Sequence, residues 1–271
     1  MNSLIGKLGA IFLKDLVNNA SYRLSFLFQF VAPLFMLLSF FFLSRLLDGA
    51  ELEGLQRYGD DYFSFAMLGI VFTTYTGIFL TTISATIRMG QTTGTLELIM
   101  STRTSLPTYL LGASLFAFLR ATLTIVLFLV VGIFAFGVDF QGANVLGGLL
   151  ILLFSMAVMV GLGILSGSFI LVFKQGDPIG LIVNSGAFLL SGVVYPVAVL
   201  PGWLQVGSRL LPQTYALEAL RQAVLLGAPL NQLGAQLLPL LLFGAAIIGT
   251  GLLAFKYATY RARLEGSFAH Y

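Results

Sequence analysis

The chain has 271 residues, of which 58% are apolar and only 9% charged, with a mean hydropathy of +0.97. An ordinary soluble domain carries roughly 25% charge, so a water-soluble fold is excluded. The absence of cysteine removes disulfides, iron–sulfur clusters, thiolate zinc sites and cysteine nucleophiles, and the net charge of +3 bears on orientation in a membrane rather than on nucleic acid.

In chain order, residues 1–22 read as an amphipathic interface helix. Leu4, Ile5, Leu8, Ile11, Phe12 and Leu16 recur at helical spacing while Lys7, Lys14 and Asn18 fall elsewhere, the pattern of a helix lying in the cytoplasmic headgroup plane. The segment lacks the charged start, compact apolar core and small-residue cleavage site of a secretory signal. Six apolar runs follow, at 26–43, 62–87, 106–136, 145–173, 179–195 and 237–255, each about the length that spans a bilayer. The fold class expected is an all-α integral membrane protein, one transmembrane domain over 1–271 with six transmembrane helices.

Alternating the two sides puts Lys7, Lys14, Arg23, Arg88, Arg103, Lys174, Lys256, Arg261 and Arg263 on one face, against Arg45, Arg57, Arg209 and Arg221 on the other. Asp48, Glu51, Glu53, Asp60, Asp61, Asp139 and Glu218 fall on the poorer face. The positive-inside rule then makes both termini cytoplasmic.

Enzyme chemistry finds no support. Gly112-Ala113-Ser114-Leu115 superficially matches the G-x-S-x of intramembrane serine proteases, but the single histidine, His270, lies beyond the last span and leaves the hydroxyl without a base. No glycine-rich run ends in Gly-Lys-Ser or Gly-Lys-Thr, so no P-loop binds ATP in this chain. The acidic loop of Asp48, Glu51, Glu53, Asp60 and Asp61 fits no EF-hand spacing and is interrupted by Arg57, so it reads as a solvated loop and no metal site is expected.

Arg120 is the one charge deep in an apolar run, at a nominal cost of about 2.5–3.5 kcal/mol at a helix centre. Two readings stay open. Either it lies on a translocation path or a subunit interface, or its 31-residue run extends past the bilayer and Arg120 sits near the headgroups. Gly163 and Gly167 form a GxxxG pair in the fourth run, read as close packing within one subunit.

The polar stretch 88–105 contains a short helix. Gly94 serves as its N-cap, Glu97 falls at N3 where a carboxylate complements the helix dipole, and Leu96, Ile99 and Met100 give one apolar face. Pro107 suits the first turn of the next span. Gly94-Thr95-Leu96-Glu97 resembles the first coupling helix of the type 2 ABC exporter permeases (ABC-2 type). A second match is Leu190-Ser191-Gly192-Val193-Val194-Tyr195-Pro196, then Leu200-Pro201-Gly202-Trp203-Leu204, then Leu211-Pro212-Gln213-Thr214-Tyr215 with Arg221 closing the segment.

The resemblance implies a permease subunit of an ATP-driven exporter that pairs with a second permease subunit, usually a copy of itself as a homodimer, and with two ABC ATPase subunits. ATP and magnesium would belong to those partners, with no cofactor in this chain and no nucleic acid. It implies a multi-pass protein of a prokaryotic-type inner membrane, among membrane lipids, with a lipid-like, drug-like or polysaccharide cargo. Gly94, Thr95, Leu96, Glu97, Leu98 and Ile99 would dock on the ATPase, flanked by Lys7, Lys14, Lys174 and Asp177. The stretch 196–230 would form a re-entrant extracellular gate, with Tyr195, Pro196, Trp203, Tyr215, Glu218, Arg221 and Arg120 on the gate or the path. Glu218 and Arg221, at i and i+3, can pair on one helix face. The rival class is an ion-coupled secondary transporter or channel, which calls for intramembrane carboxylates; none of the six apolar runs contains one.

Overall fold

A computed structural model describes residues 4–47, 54–58, 61–140, 142–174 and 176–264. These form ten α-helices and no strand. They are α1 (Leu4–Ser21), α2 (Arg23–Leu46), α3 (Tyr62–Thr92), α4 (Thr95–Ser101), α5 (Leu106–Phe136), α6 (Val145–Phe173), α7 (Pro178–Leu190), α8 (Gly202–Arg209), α9 (Pro212–Val224) and α10 (Gly234–Leu264). Asp48, Glu51, Glu53, Asp60 and His270 lie outside the described residues.

Five helices are long and apolar enough to cross a membrane: α2, α3, α5, α6 and α10. The expectation of six full spans is corrected at 179–195. There the helix covers Pro178–Leu190, 13 residues or about 20 Å, short of the roughly 30 Å of a hydrocarbon core. Hydropathy continues through Val193 and Val194, but Gly192 turns the backbone into the left-handed region at φ 74° and ends the helical path.

The bundle is built around α3. Of its apolar window 78% is buried, against 6% for α2, so α3 is the axis and α2 a peripheral helix. Hydroxyls at Thr73, Thr74 and Thr76 donate to the carbonyls four residues back, satisfying themselves inside an apolar setting. Small residues let its neighbours close in. A Cβ at Gly163 of α6 would lie 2.9 Å from the Leu80 carbonyl oxygen, and one at Gly167 would lie 2.7 Å from Ile87 Cδ1. The Gly163 and Gly167 pair therefore packs α6 onto α3 within one chain, as expected.

Two clusters of buried residues mark the two ends. The larger joins Phe63, Met67, Phe72, Phe128, Ile151 and Leu217. The smaller joins Ile83, Ile87, Leu96, Leu106, Tyr109, Ile170 and Ala258, where the late turns of α3, α6 and α10 meet α4 and the start of α5. Lys7, Lys14, Arg88, Arg103, Lys174 and Lys256 all belong to this second end, so the positive residues gather where the alternation of spans places them. The side chains of Arg23 and Arg263 lie outside the description.

The N-terminal helix departs from the simple interface expectation. Ile11 packs against Gly112 and Phe12 stacks edge-on against Phe116, ring centroids 6.0 Å apart, so α1 is clamped along the first turns of α5. Leu4 and Ile5 on its other side are exposed. The 31 residues of α5 measure about 46 Å, longer than a bilayer core, and α1 braces their surplus turns.

Candidate functional site

At the second end, Gly94 occupies the N-cap of α4 with φ 67°, a conformation that favours glycine. Glu97 stands in the first turn as expected, exposed and without a hydrogen bond among the described residues. The helix does not offer the face that its sequence suggested. Leu96 is fully buried in this chain's own core, against Gly90, and Ile99 is half-buried beside it, so neither stands ready as an outward contact. Leu98 is 67% exposed, and with Glu97 and Thr95 it forms the outward side of α4. Of the residues expected to dock, Leu96 and Ile99 lie on the anchoring side and Thr95, Glu97 and Leu98 on the outward one.

The flanking residues separate into two kinds. Lys7 Nζ donates to the Arg103 carbonyl in the turn between α4 and α5, and Lys14 pairs with Asp15 at 2.9 Å while lying 5.1 Å over the Tyr109 ring of α5, so the two tie α1 to that turn and to α5. Lys174 caps α6 in the left-handed region at φ 53°. Asp177 is turned inward. Its carboxylate accepts from the Gly180 amide at 2.7 Å as N-cap of α7 and from the Ser166 hydroxyl of α6. Asp177→Ala is expected to cost about 1–2 kcal/mol, read as a lowered melting temperature of the detergent-solubilised chain, with Asp177→Asn recovering most of it.

The opposite end is organised by Arg221 of α9, 2% exposed. Its Nη1 donates to the Gly192 carbonyl at 2.7 Å, and its Nη2 to the carbonyls of Val193 at 2.8 Å and Phe65 at 3.0 Å. The guanidinium lies 3.4 Å from the Phe65 ring centroid. Residues 191–194 are buried but not helical, so their carbonyls need donors from elsewhere, and Arg221 supplies them. The expected Glu218–Arg221 pair is corrected. Glu218 accepts instead from the Tyr58 hydroxyl and from Gln222 Nε2 at 2.8 Å, because the guanidinium is spent on backbone. Burial, and Glu218 beside it, push the Tyr58 phenol above its ordinary range.

Around these groups lies a cavity of about 280 Å³, bounded by Tyr58, Ser191, Pro196, Tyr215, Glu218 and Arg221. Tyr195 donates to the Leu189 carbonyl and Tyr215 to the Arg209 carbonyl at 3.0 Å, each closing a local turn. Trp203 on α8 is 75% exposed. Pro196, Tyr215, Glu218 and Arg221 are thus brought together around the cavity, whereas the Tyr195 hydroxyl goes to the Leu189 carbonyl and Trp203 stands apart, exposed.

Residues 7–225, which run from α1 to the end of α9, match a family model described as "ABC-2 type transporter". The chain belongs to the ABC-2 type transporter family. No curated protein matches it. As an ABC-2 type membrane domain it is a transport component, and its five long apolar helices make it a multi-pass membrane protein.

Within this ABC-2 domain Arg120 sits mid-bundle, not with Tyr195 and its neighbours. Its Nη1 contacts Gln29 Oε1 of α2 at 3.3 Å and its buried Nε has no partner. Together with Gln29, Thr73, Thr74, Thr81 and Asn184 it lines a groove of about 380 Å³ between α2, α3, α5 and α7. Sequence reading missed the other five. All five are uncharged polar residues in predominantly apolar helices, and only the packing of four helices brings them together. Among the described residues no group of three or more His, Asp or Glu side chains could hold a metal ion.

Proposed function

We propose that this chain is the membrane-spanning half of an ATP-driven exporter, paired with a second permease subunit, most simply a copy of itself, and driven by two separate ABC ATPase subunits. The observation that carries the reading is α4. It is anchored by Leu96 in the core of the basic end and presents Glu97 and Leu98 outward. A short helix seated this way passes a push on its outer side into α3 and α5, between which it is strung. ATP binding at the partner would shift the population of bundle arrangements through that contact.

The basic end faces the cytoplasm by the positive-inside rule, placing both termini there. The stretch 196–230 then lies outside as a gate, joined to α7 by the non-helical residues 191–194, whose carbonyls at Gly192 and Val193 take the Arg221 guanidinium. Cargo of lipid-like, drug-like or polysaccharide character suits a bundle with no ring of carboxylates. An ion-coupled carrier would need intramembrane acids, and the five long helices hold none at mid-bundle.

Purification from the native membrane in mild detergent, followed by mass spectrometry, tests this reading. Wild type should bring down a P-loop ATPase in equal stoichiometry, and Glu97→Arg and Leu98→Asp should each reduce its recovery at least tenfold while the permease keeps its melting temperature. Wild-type chain without an ATPase, or full recovery in both variants, would overturn the docking assignment.

A further inference from the structure

The mid-bundle groove is built unlike its surroundings. Gln29 and Asn184 are exposed side chains on apolar helices and Thr81 stands beside them. In a bilayer nothing in the hydrocarbon can hydrogen-bond an amide, so such groups are costly unless polar matter covers them. Arg120 adds a full charge. No carboxylate pairs with it among the described residues, its one polar contact is the 3.3 Å approach to Gln29 Oε1, and its Nε is buried without a partner. The electrostatic demand is for an anion, and the neighbouring amides and hydroxyls provide further hydrogen-bonding positions for its oxygens.

The rest of the wall is apolar. Phe30, Met36, Ile70 and Phe188 line the same groove, and the α2 surface beside it is open, with Phe28 and Phe35 each 65% exposed. A volume of about 380 Å³ falls at the small end of ligand sites, enough for a headgroup and the first methylenes of a chain. A planar guanidinium is suited to two oxygens of a phosphate or carboxylate.

We propose that the groove at Arg120 seats the anionic headgroup of an amphiphile, with its apolar chain leaving along α2, and that the cargo class of this permease is therefore anionic amphiphiles. The cargo part rests on the exporter reading above; the binding part stands without it. The site is reached sideways from the bilayer, so the charge is taken up at Arg120 and the chain need not leave hydrocarbon. A free anion of the same chemistry lacks the apolar contribution and binds more weakly.

The test uses the purified full chain in neutral maltoside micelles, without any ATPase, and titrates dodecyl phosphate, dodecanol and inorganic phosphate by native mass spectrometry. Wild type should take one dodecyl phosphate at least tenfold more tightly than dodecanol, and inorganic phosphate at the same concentration should not displace it. Arg120→Gln should bring the two tailed probes within twofold of each other, Arg120→Lys should keep a several-fold preference, and Asn184→Leu should weaken dodecyl phosphate alone. Equal binding of the tailed probes by wild type, or a preference that survives in Arg120→Gln, would overturn the site. Displacement by inorganic phosphate at equal concentration would overturn the amphiphile. If Arg120→Gln does not fold, the wild-type comparison and Asn184→Leu still decide. Because no ATPase is present, a negative result leaves the docking of α4 untouched, and a failure of docking leaves this binding unchanged.

Discussion

Arg221→Met is expected to lower the melting temperature of the detergent-solubilised chain by on the order of 10 °C and to abolish transport. Methionine keeps a long apolar side chain for the space beside Phe65 and removes every donor. The Phe65 carbonyl lies within α3, whereas the carbonyls of Gly192 and Val193 belong to non-helical backbone that Arg221 alone is seen to satisfy through side-chain donors. Two buried carbonyls left without partners cost about 1–3 kcal/mol each. Arg221→Lys should recover part of the loss, since an ammonium reaches fewer acceptors and has no plane to lay on Phe65. A methionine variant that melts within about 2 °C of wild type would show that residues 191–194 hold their path without the guanidinium.

This dependence explains which parts of the fold could be read in advance. The five long helices follow from uninterrupted hydropathy; α5 and α6 end where their apolar runs end, whereas α3 runs on past its own because Arg88, Gln91 and Thr92 continue it at a polar end. The run at 179–195 misled because hydropathy measures burial and not backbone path; Ser191 and Gly192 break the helix while Val193 and Val194 remain buried. Glu218 and Arg221 share a helix face, but Arg221 reaches two bare carbonyls, and a donor-rich cation beside unpaired backbone goes to the backbone. At α4 the cap and the position of Glu97 were legible because they depend on local chemistry. Which side of α4 faces out was not, because it depends on Gly90 leaving room for Leu96. The groove at Arg120 was invisible for the same reason, since Gln29, Thr74 and Asn184 are far apart in sequence.

Gly69→Ala should be nearly as damaging, for a connected reason. A Cβ at Gly69 would overlap the Val193 carbonyl oxygen and lie 2.9 Å from Arg221 Nη2, so the added methyl meets backbone and the guanidinium head rather than a flexible side-chain end. Overpacking of a tight interior costs about 1–3 kcal/mol, and here relief requires moving the strand of backbone that Arg221 holds. The two sites should therefore couple. Once Arg221→Met has released residues 191–194, the Val193 carbonyl can back away from α3, and Gly69→Ala in that background should cost less than half of what it costs in wild type. A double-mutant cycle on melting temperature, with Gly69→Ala, Arg221→Met and the pair, measures this directly. Additive effects would mean that the Val193 backbone is fixed by its own packing, and that Arg221 is a passenger at a turn shaped by Gly192. A coupling of about 1 kcal/mol or more would make α3, the 191–194 turn and α9 one mechanical unit, so that a displacement of α3 driven from the α4 end would be felt at the far end of the bundle.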